Sequence, residues 1–366
     1  MQLLHTPEGV RDIYNGECRA RMYLDSVIRK KMNSFGFEDI ITPTFEFFDV
    51  FSAERGTVES KDMYKFFDRD GNTLVLRPDM TPAIARCVAK YYRDEKKPIR
   101  LCYSGNTFIN GHELRGKLKE ITQIGAELIN DSSVEADAEM IALTVECLKA
   151  IGLEEFQVEI GQADFFRALV EAAGLNDRET DMLRTSVIDK NMFGMEDILD
   201  GKNIDEETKA ALLRLPSLFG NMQTLPEVRK ITSNERALQT ITRLEKLFDC
   251  LKAYGCENYL TFDLGALSKY NYYTGITFSA YTYGTGNPIL TGGRYDSLVG
   301  QFGKNAAAIG FAFQLDEIMA AMLRRKITVV SEQKPVIVYC PEGRYAESVS
   351  KAVELRNKGI RCIIEK

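Results

Sequence analysis

Between residues 164 and 255 the apolar residues recur at helical spacing and at no other, whereas on both sides the chain alternates between strand and helix patterns. Residues 165–173, 179–189, 206–213 and 235–254 carry that helical period, and Gly174, Gly201, Pro216, Gly220 and Pro226 divide them. Before this run, strand patterns fall at 37–45, 64–68, 73–77, 99–103, 120–129 and 156–160; after it they fall at 259–264, 270–283, 288–291 and 306–313. This arrangement predicts a mixed sheet domain with a helical insertion at about 164–255. Further helices are expected at 17–35, closed by Gly36, at 83–92, at 133–148 with Ser133 as N-cap, and at 315–325. Arg69-Asp-Gly-Asn72 between 64–68 and 73–77 is a hairpin signal. After a polar linker at 326–334, residues 335–366 read as strand, helix and strand.

Composition narrows the function. The chain has 366 residues, 45% hydrophobic and 27% charged, which is ordinary for a globular protein with an ample core. It has no apolar run of membrane-spanning length and no leader pattern at its start, so no membrane partner and a cytoplasmic location are expected. The eight cysteines form no Cys-x-x-Cys pair and only two histidines accompany them, so no metal is expected, and reduced thiols fit a cytosol. His5 and His112 are isolated and read as surface or loop residues. A net charge of −6 argues against a nucleic-acid partner, which calls for a basic face.

Three stretches concentrate polar and aromatic groups. Residues 270–278, Tyr-Asn-Tyr-Tyr-Thr-Gly-Ile-Thr-Phe, suit a strand on which Tyr272 and Tyr273 point to opposite faces. Gly275 follows, where a side chain would block close approach of a ligand or another backbone. Asp79 and Thr81 open a helix, where capping is their commonest task. Gln123 and Glu127 lie four apart on a strand, so both project to one side, either into solvent or onto a ligand.

Leu76-Arg-Pro-Asp-Met-Thr81, the Tyr272-Tyr273 stretch and Thr291-Gly-Gly-Arg-Tyr-Asp296, in that order, resemble the catalytic domain of histidyl-tRNA synthetases and its non-catalytic relatives. The resemblance runs from Pro7-Glu-Gly-Val-Arg-Asp-Ile13 to about Ala321. It implies an α+β fold: a class II aminoacyl-tRNA synthetase-like antiparallel sheet flanked by helices, with the helical insertion and a short C-terminal α/β segment. It implies one domain over 1–325, a linker at 326–334 and a partial C-terminal α/β domain at 335–366. It also implies that the helix at 17–35 and the strand ending near Pro43 build a homodimer interface.

Aminoacyl-adenylate formation concentrates negative charge on a triphosphate, and that charge must be met by guanidinium groups or metal. The family places arginines at three positions. Its Phe-Arg-x-Glu is here Phe108-Ile109-Asn110-Gly111, and its Gly-Leu-Glu-Arg is Gln314-Leu315-Asp316-Glu317. Its Arg-Gly-Leu-Asp-Tyr-Tyr is Ser268-Lys269-Tyr270-Asn271-Tyr272-Tyr273, and Lys269 is one position out along a strand. Each such loss typically costs about 3 kcal/mol of transition-state stabilisation. No adenylation, no tRNA charging, no catalytic residue and no cofactor are therefore expected.

The groups the family uses for histidine itself are retained. The resemblance assigns the ligand's ammonium to Asp79 and Thr81, and its carboxylate to Gln123. It assigns an imidazole nitrogen to Glu127, and ring contacts to Tyr272, Tyr273 and Tyr295. Retained recognition with lost activation resembles the regulatory subunits of ATP phosphoribosyltransferase, which opens histidine biosynthesis. That resemblance implies a hetero-oligomer with a short-form catalytic subunit, a homodimer within it, L-histidine as ligand and feedback inhibitor, and no tRNA. The alternatives are an active histidyl-tRNA synthetase and a synthetase-like sensor of uncharged tRNA.

Overall fold

The computed structural model describes residues 4–52, 58–111, 118–267, 272–329 and 334–366. Its strands are β1 Glu38–Asp39, β2 Phe45–Phe47, β3 Lys65–Phe67, β4 Thr73–Leu76, β5 Ile99–Phe108, β6 Glu120–Ile129, β7 Phe156–Gln162, β8 Phe219–Gly220, β9 Leu260–Asp263, β10 Ile276–Thr282, β11 Leu290–Arg294, β12 Ala308–Gln314, β13 Val336–Tyr339 and β14 Cys362–Glu365. Its α-helices are α1 Asn15–Ser34, α2 Thr81–Tyr91, α3 Val134–Ala150, α4 Ala163–Ala172, α5 Asp177–Ile188, α6 Met192–Leu199, α7 Glu206–Arg214, α8 Thr224–Val228, α9 Glu235–Ala253, α10 Leu315–Arg324 and α11 Tyr345–Asn357.

Nine strands form one sheet in the order β1-β5-β6-β12-β11-β10-β7-β9-β8. From β5 to β7 every neighbouring pair is antiparallel, while β1 runs parallel to β5 and β9 parallel to β7. The six helices α4 to α9 are inserted between β7 and β9, which lie side by side, so they form one long crossover. This is the α+β architecture that the resemblance implied, with the helical insertion where the periodicity put it.

Alternation along the central strands separates two faces. On β6 and β12, Ile124, Ala126, Leu128, Ile309, Phe311 and Phe313 point one way, into a large core shared with Leu24 and Ile28 of α1 and Ile141 of α3. Ser133 caps α3, accepting from Ala136 N at 3.1 Å. The opposite face carries shorter side chains and holds the site described below.

Two expectations need correcting. Residues 37–45 are not one strand: β1 belongs to the large sheet, whereas β2 joins β4 and β3 in a separate three-stranded sheet. Arg77 draws in the intervening turn, donating to the carbonyls of Thr42 at 2.9 Å and Pro43 at 3.3 Å. Tyr272 and Tyr273 also precede their strand, because β10 starts only at Ile276. The β3–β4 hairpin forms as its Asp-Gly signal indicates, with Lys65 opposite Val75.

Strands β13 and β14 pair in parallel beside α11, around a small core of Val338, Ala352 and Cys362. Among the described residues no helix is long and apolar enough to cross a membrane. All eight cysteines are free, and Cys102, Cys147, Cys256, Cys340 and Cys362 are buried.

Candidate functional site

The register of four strands builds the floor of a cavity. Glu127 of β6 lies opposite Gly310 of β12, which lies opposite Gly293 of β11. In the next row Tyr103 of β5, Gly125, Ala312 and Thr291 lie abreast, and in the third Gly105, Gln123 and Gln314. Because partners in a ladder share a face, glycine and alanine clear the space above the sheet while Glu127, Tyr103 and Gln123 stand in it. The resulting cavity has a volume of about 750 Å³, and its walls include Asp79, Thr81, Gln123, Tyr272, Tyr273 and Tyr295. That size suits a small-molecule site.

The inner half is organised on Glu127, which is 1% exposed. One carboxylate oxygen accepts from the Thr81 hydroxyl at 2.8 Å and the other from the Tyr295 phenol at 2.6 Å. Burial raises the Glu127 carboxyl to about 8, and Asp79 adds to that rise, while the two hydroxyl donors oppose it. Asp79 accepts from Thr81 N at 3.2 Å. The position preceding α2 is Met80, which makes no side-chain cap, so Thr81 turns its hydroxyl to Glu127 instead of capping the helix.

The aromatic wall follows from the bend before β10. Thr274 N donates to the Arg294 carbonyl at 2.7 Å, and Asp296 N donates to the Thr274 hydroxyl at 2.9 Å. This folds Tyr272 and Tyr273 back over β11, and both rings join one wall with centroids 4.7 Å apart. The opposite-face expectation for this pair is therefore overturned: the strand expected from residue 270 begins only at Ile276. Tyr295 meets Tyr272 edge-on at 6.0 Å. A Cβ on Gly275 would lie 3.2 Å from Arg294 Cδ, so the close approach expected at this glycine is to a side chain.

The arginines of the two flanking motifs are committed to the scaffold. Arg77 donates to backbone carbonyls, including Asn106 O at 2.7 Å. Arg294 is 3% exposed and grips Asp137 of α3 through Nε at 2.8 Å.

The sequence model of the histidyl-tRNA synthetase family matches residues 9–318. The chain is 41% identical over 342 residues to an ATP phosphoribosyltransferase regulatory subunit of Acetivibrio thermocellus, covering 93% of this chain and 82% of that one. It is 38% identical over 358 residues to one of Clostridium kluyveri, covering 97% and 92%. A crystal structure from Bacillus halodurans, described as an ATP phosphoribosyltransferase regulatory subunit/histidyl-tRNA synthetase, superposes with a TM-score of 0.88 at 31% identity, covering 99% of this chain and 93% of that one. The chain belongs to the ATP phosphoribosyltransferase regulatory subunit family, built on the histidyl-tRNA synthetase fold.

The outer half of the cavity takes in positions at which the resemblance to synthetases implies cationic side chains. Ile109 lines it, and so do Asp316 and Glu317. Asp316 is not a bare acid. Arg21 donates to it at 2.6 Å, and Thr122 N at 3.2 Å, so it ties α1 to the start of α10. Glu317 accepts from Asn287 at 2.8 Å. Arg11 and Arg324 also reach this half, but Arg11 is exposed and paired with Glu17. Two arginines against two acids leave this lining without a net positive charge. Lys269 and His112 lie outside the described residues.

Each candidate ligand residue thus borders the cavity or, as Glu127 does, anchors groups that border it. Sequence reasoning missed Tyr103 and the glycines Gly125, Gly293 and Gly310. Strand alternation marks Tyr103 as a face residue, but only the pairing of β5 with β6 puts it beside Gly125 and Glu127.

Proposed function

We propose that the chain binds free L-histidine in the inner half of this cavity and serves as the histidine-sensing regulatory subunit of a short-form ATP phosphoribosyltransferase, without activating the amino acid. The observation that carries this reading is the contrast within one cavity. Its inner half offers the Asp79 carboxylate and aromatic walls, with the buried Glu127 carboxylate directly behind Thr81 and Tyr295, which suits a small cationic, aromatic amino acid. Its outer half offers Ile109 and two acids, Asp316 and Glu317, that balance Arg11 and Arg324, a lining without the net positive charge that a triphosphate requires. Asp79 and Thr81 take the ammonium, Glu127 an imidazole nitrogen, Gln123 the carboxylate, and Tyr272, Tyr273 and Tyr295 the ring. Regulation requires that histidine favour one arrangement of the hetero-oligomer over another.

Within that assembly the chain forms a homodimer through α1 and the segment ending near Pro43, with the adjoining three-stranded sheet beside them. Phe45, Phe47, Phe66, Leu74 and Leu76 share one face of the three-stranded sheet, where Phe45 is 53% and Phe47 55% exposed. An apolar face of this kind is a normal site of association.

A thermal-shift titration tests the reading. Histidine at about 100 times its Kd adds about 2.7 kcal/mol of stability, while ATP alone adds little. Absence of a histidine shift contradicts the proposal. In the reconstituted hetero-oligomer, histidine inhibits phosphoribosyl transfer.

A further inference from the structure

The bend that carries Tyr272 and Tyr273 is held by the helical insertion as well as by β11. Ala163 N, at the start of α4, donates to the Gly275 carbonyl at 2.9 Å. One turn further along α4, a terminal guanidinium nitrogen of Arg167 donates to the Tyr273 carbonyl at 3.1 Å. The other terminal nitrogen of Arg167 donates to Asp164 at 3.2 Å. Asp164 also accepts from Arg236 of α9, through Nε at 3.2 Å and a terminal nitrogen at 2.5 Å. Arg236, Asp164 and Arg167 thus form one chain of charge-assisted bonds that ends on the backbone of Tyr273.

The other arm of the aromatic wall reaches the same helix. Arg243 follows Arg236 by seven residues, so the two share a face of α9. Arg243 Nε donates to Asp137 at 3.0 Å, and Asp137 accepts from Arg294, the residue before Tyr295. The helix that joins the two arms is itself well anchored: Ala237, Ile241 and Leu244 of α9 are buried in one core with Phe165 and Leu169 of α4. Arg167 stands outside the cavity lining, so it can act on a ligand only through the bend it holds.

We infer that Arg167 is a positioning residue: from α4 it fixes the backbone of Tyr273, and through Asp164 and Arg236 it makes the placement of the aromatic wall depend on the helical insertion. This rests on the proposed histidine-binding function. A displacement of α4 or α9 then changes how the wall fits an imidazole ring, and by linkage the ligand favours one placement of the insertion.

A double-mutant cycle tests this path. Full-length wild type, Arg167→Ala, Arg236→Ala and the double variant are titrated calorimetrically with L-histidine, and the melting temperature of each is recorded without ligand. Arg167→Ala is expected to bind histidine roughly tenfold more weakly, and Arg236→Ala roughly threefold. The double variant is expected to match Arg167→Ala, because Arg236 acts on the wall through Arg167. Both side chains are partly exposed, so the melting temperatures of the empty variants should stay within about 2 °C of wild type. An arginine with a merely structural role would lower the melting temperature and leave the affinity alone. Unchanged histidine affinity in Arg167→Ala, or losses that multiply in the double variant, overturns the inference while leaving the function intact. If Arg167→Ala does not fold, Arg236→Ala decides alone: weaker binding supports the path and unchanged affinity overturns it. If wild type itself takes up no histidine, the proposed function fails first, and the inference fails with it.

Discussion

Glu127 and Gly310 face each other across the β6–β12 ladder so closely that a Cβ on Gly310 would lie 1.5 Å from a Glu127 carboxylate oxygen. Glu127 cannot simply swing aside, because Thr81 and Tyr295 hold both of its oxygens. The glycine is therefore part of the site although it offers no side chain. Gly310→Ala should cost about 1–3 kcal/mol of stability through overpacking. It should also abolish the histidine-induced thermal shift. Denaturant unfolding and a ligand titration on the same variant check both outcomes.

The same carboxylate gives a pH signature. Burial raises it to about 8, against 4.5 for an ordinary glutamate. The folded state thus holds the proton more tightly than the unfolded chain. Its contribution is complete below about pH 4.5, declines as pH rises, and is lost above about pH 8. Melting temperatures of the ligand-free protein should carry this downward slope, and Glu127→Gln should flatten it. A cationic ligand favours the ionised carboxylate, so histidine uptake should release a proton near neutral pH. Titration in two buffers of different ionisation enthalpy measures that release, and an unchanged heat contradicts it.

The buried Asp137 is the anchor beneath the aromatic wall. It accepts from Arg294 at 2.8 Å and from Arg243 at 3.0 Å, and Arg294 in turn holds the chain that carries Tyr295. Asp137→Ala leaves a buried guanidinium without its carboxylate and should cost about 3–5 kcal/mol. The denaturation midpoint reports the loss.

The apolar face of the three-stranded sheet bears on assembly. Phe45 and Phe66 meet edge-on with centroids 5.7 Å apart, in a patch that solvent covers. Phe45→Glu combined with Phe47→Glu should convert the proposed homodimer to monomer with little loss of monomer stability. Light scattering coupled to gel filtration distinguishes the two states. A dimer that persists in the double variant places the interface elsewhere.

The sequence made the sheet easier to see than the site. Residues 120–129 match β6 in full, because Ile124, Ala126 and Leu128 at period two mark its core face. The Asp-Gly turn signalled β3 and β4 for an equally local reason. Tyr272 and Tyr273 failed as strand residues because tertiary contacts overrode their β-propensity: Thr274 pairs with the Arg294 carbonyl and Asp296, both some 20 residues downstream. Asp79 and Thr81 looked like capping residues because local composition does not show that Glu127 stands 46 positions away to take the hydroxyl. The charge reversal at Glu317 was legible, but the pairing of its neighbour Asp316 with Arg21 was not, since that pair spans 295 positions.

The central claim is that this cavity holds histidine and leaves it unaltered. Equilibrium dialysis of radiolabelled histidine with the protein and Mg-ATP, followed by chromatography of the bound label, tests it directly. The account predicts saturable binding with all the label recovered as free histidine. Label recovered as histidyl-adenylate, or no retained label at all, contradicts it.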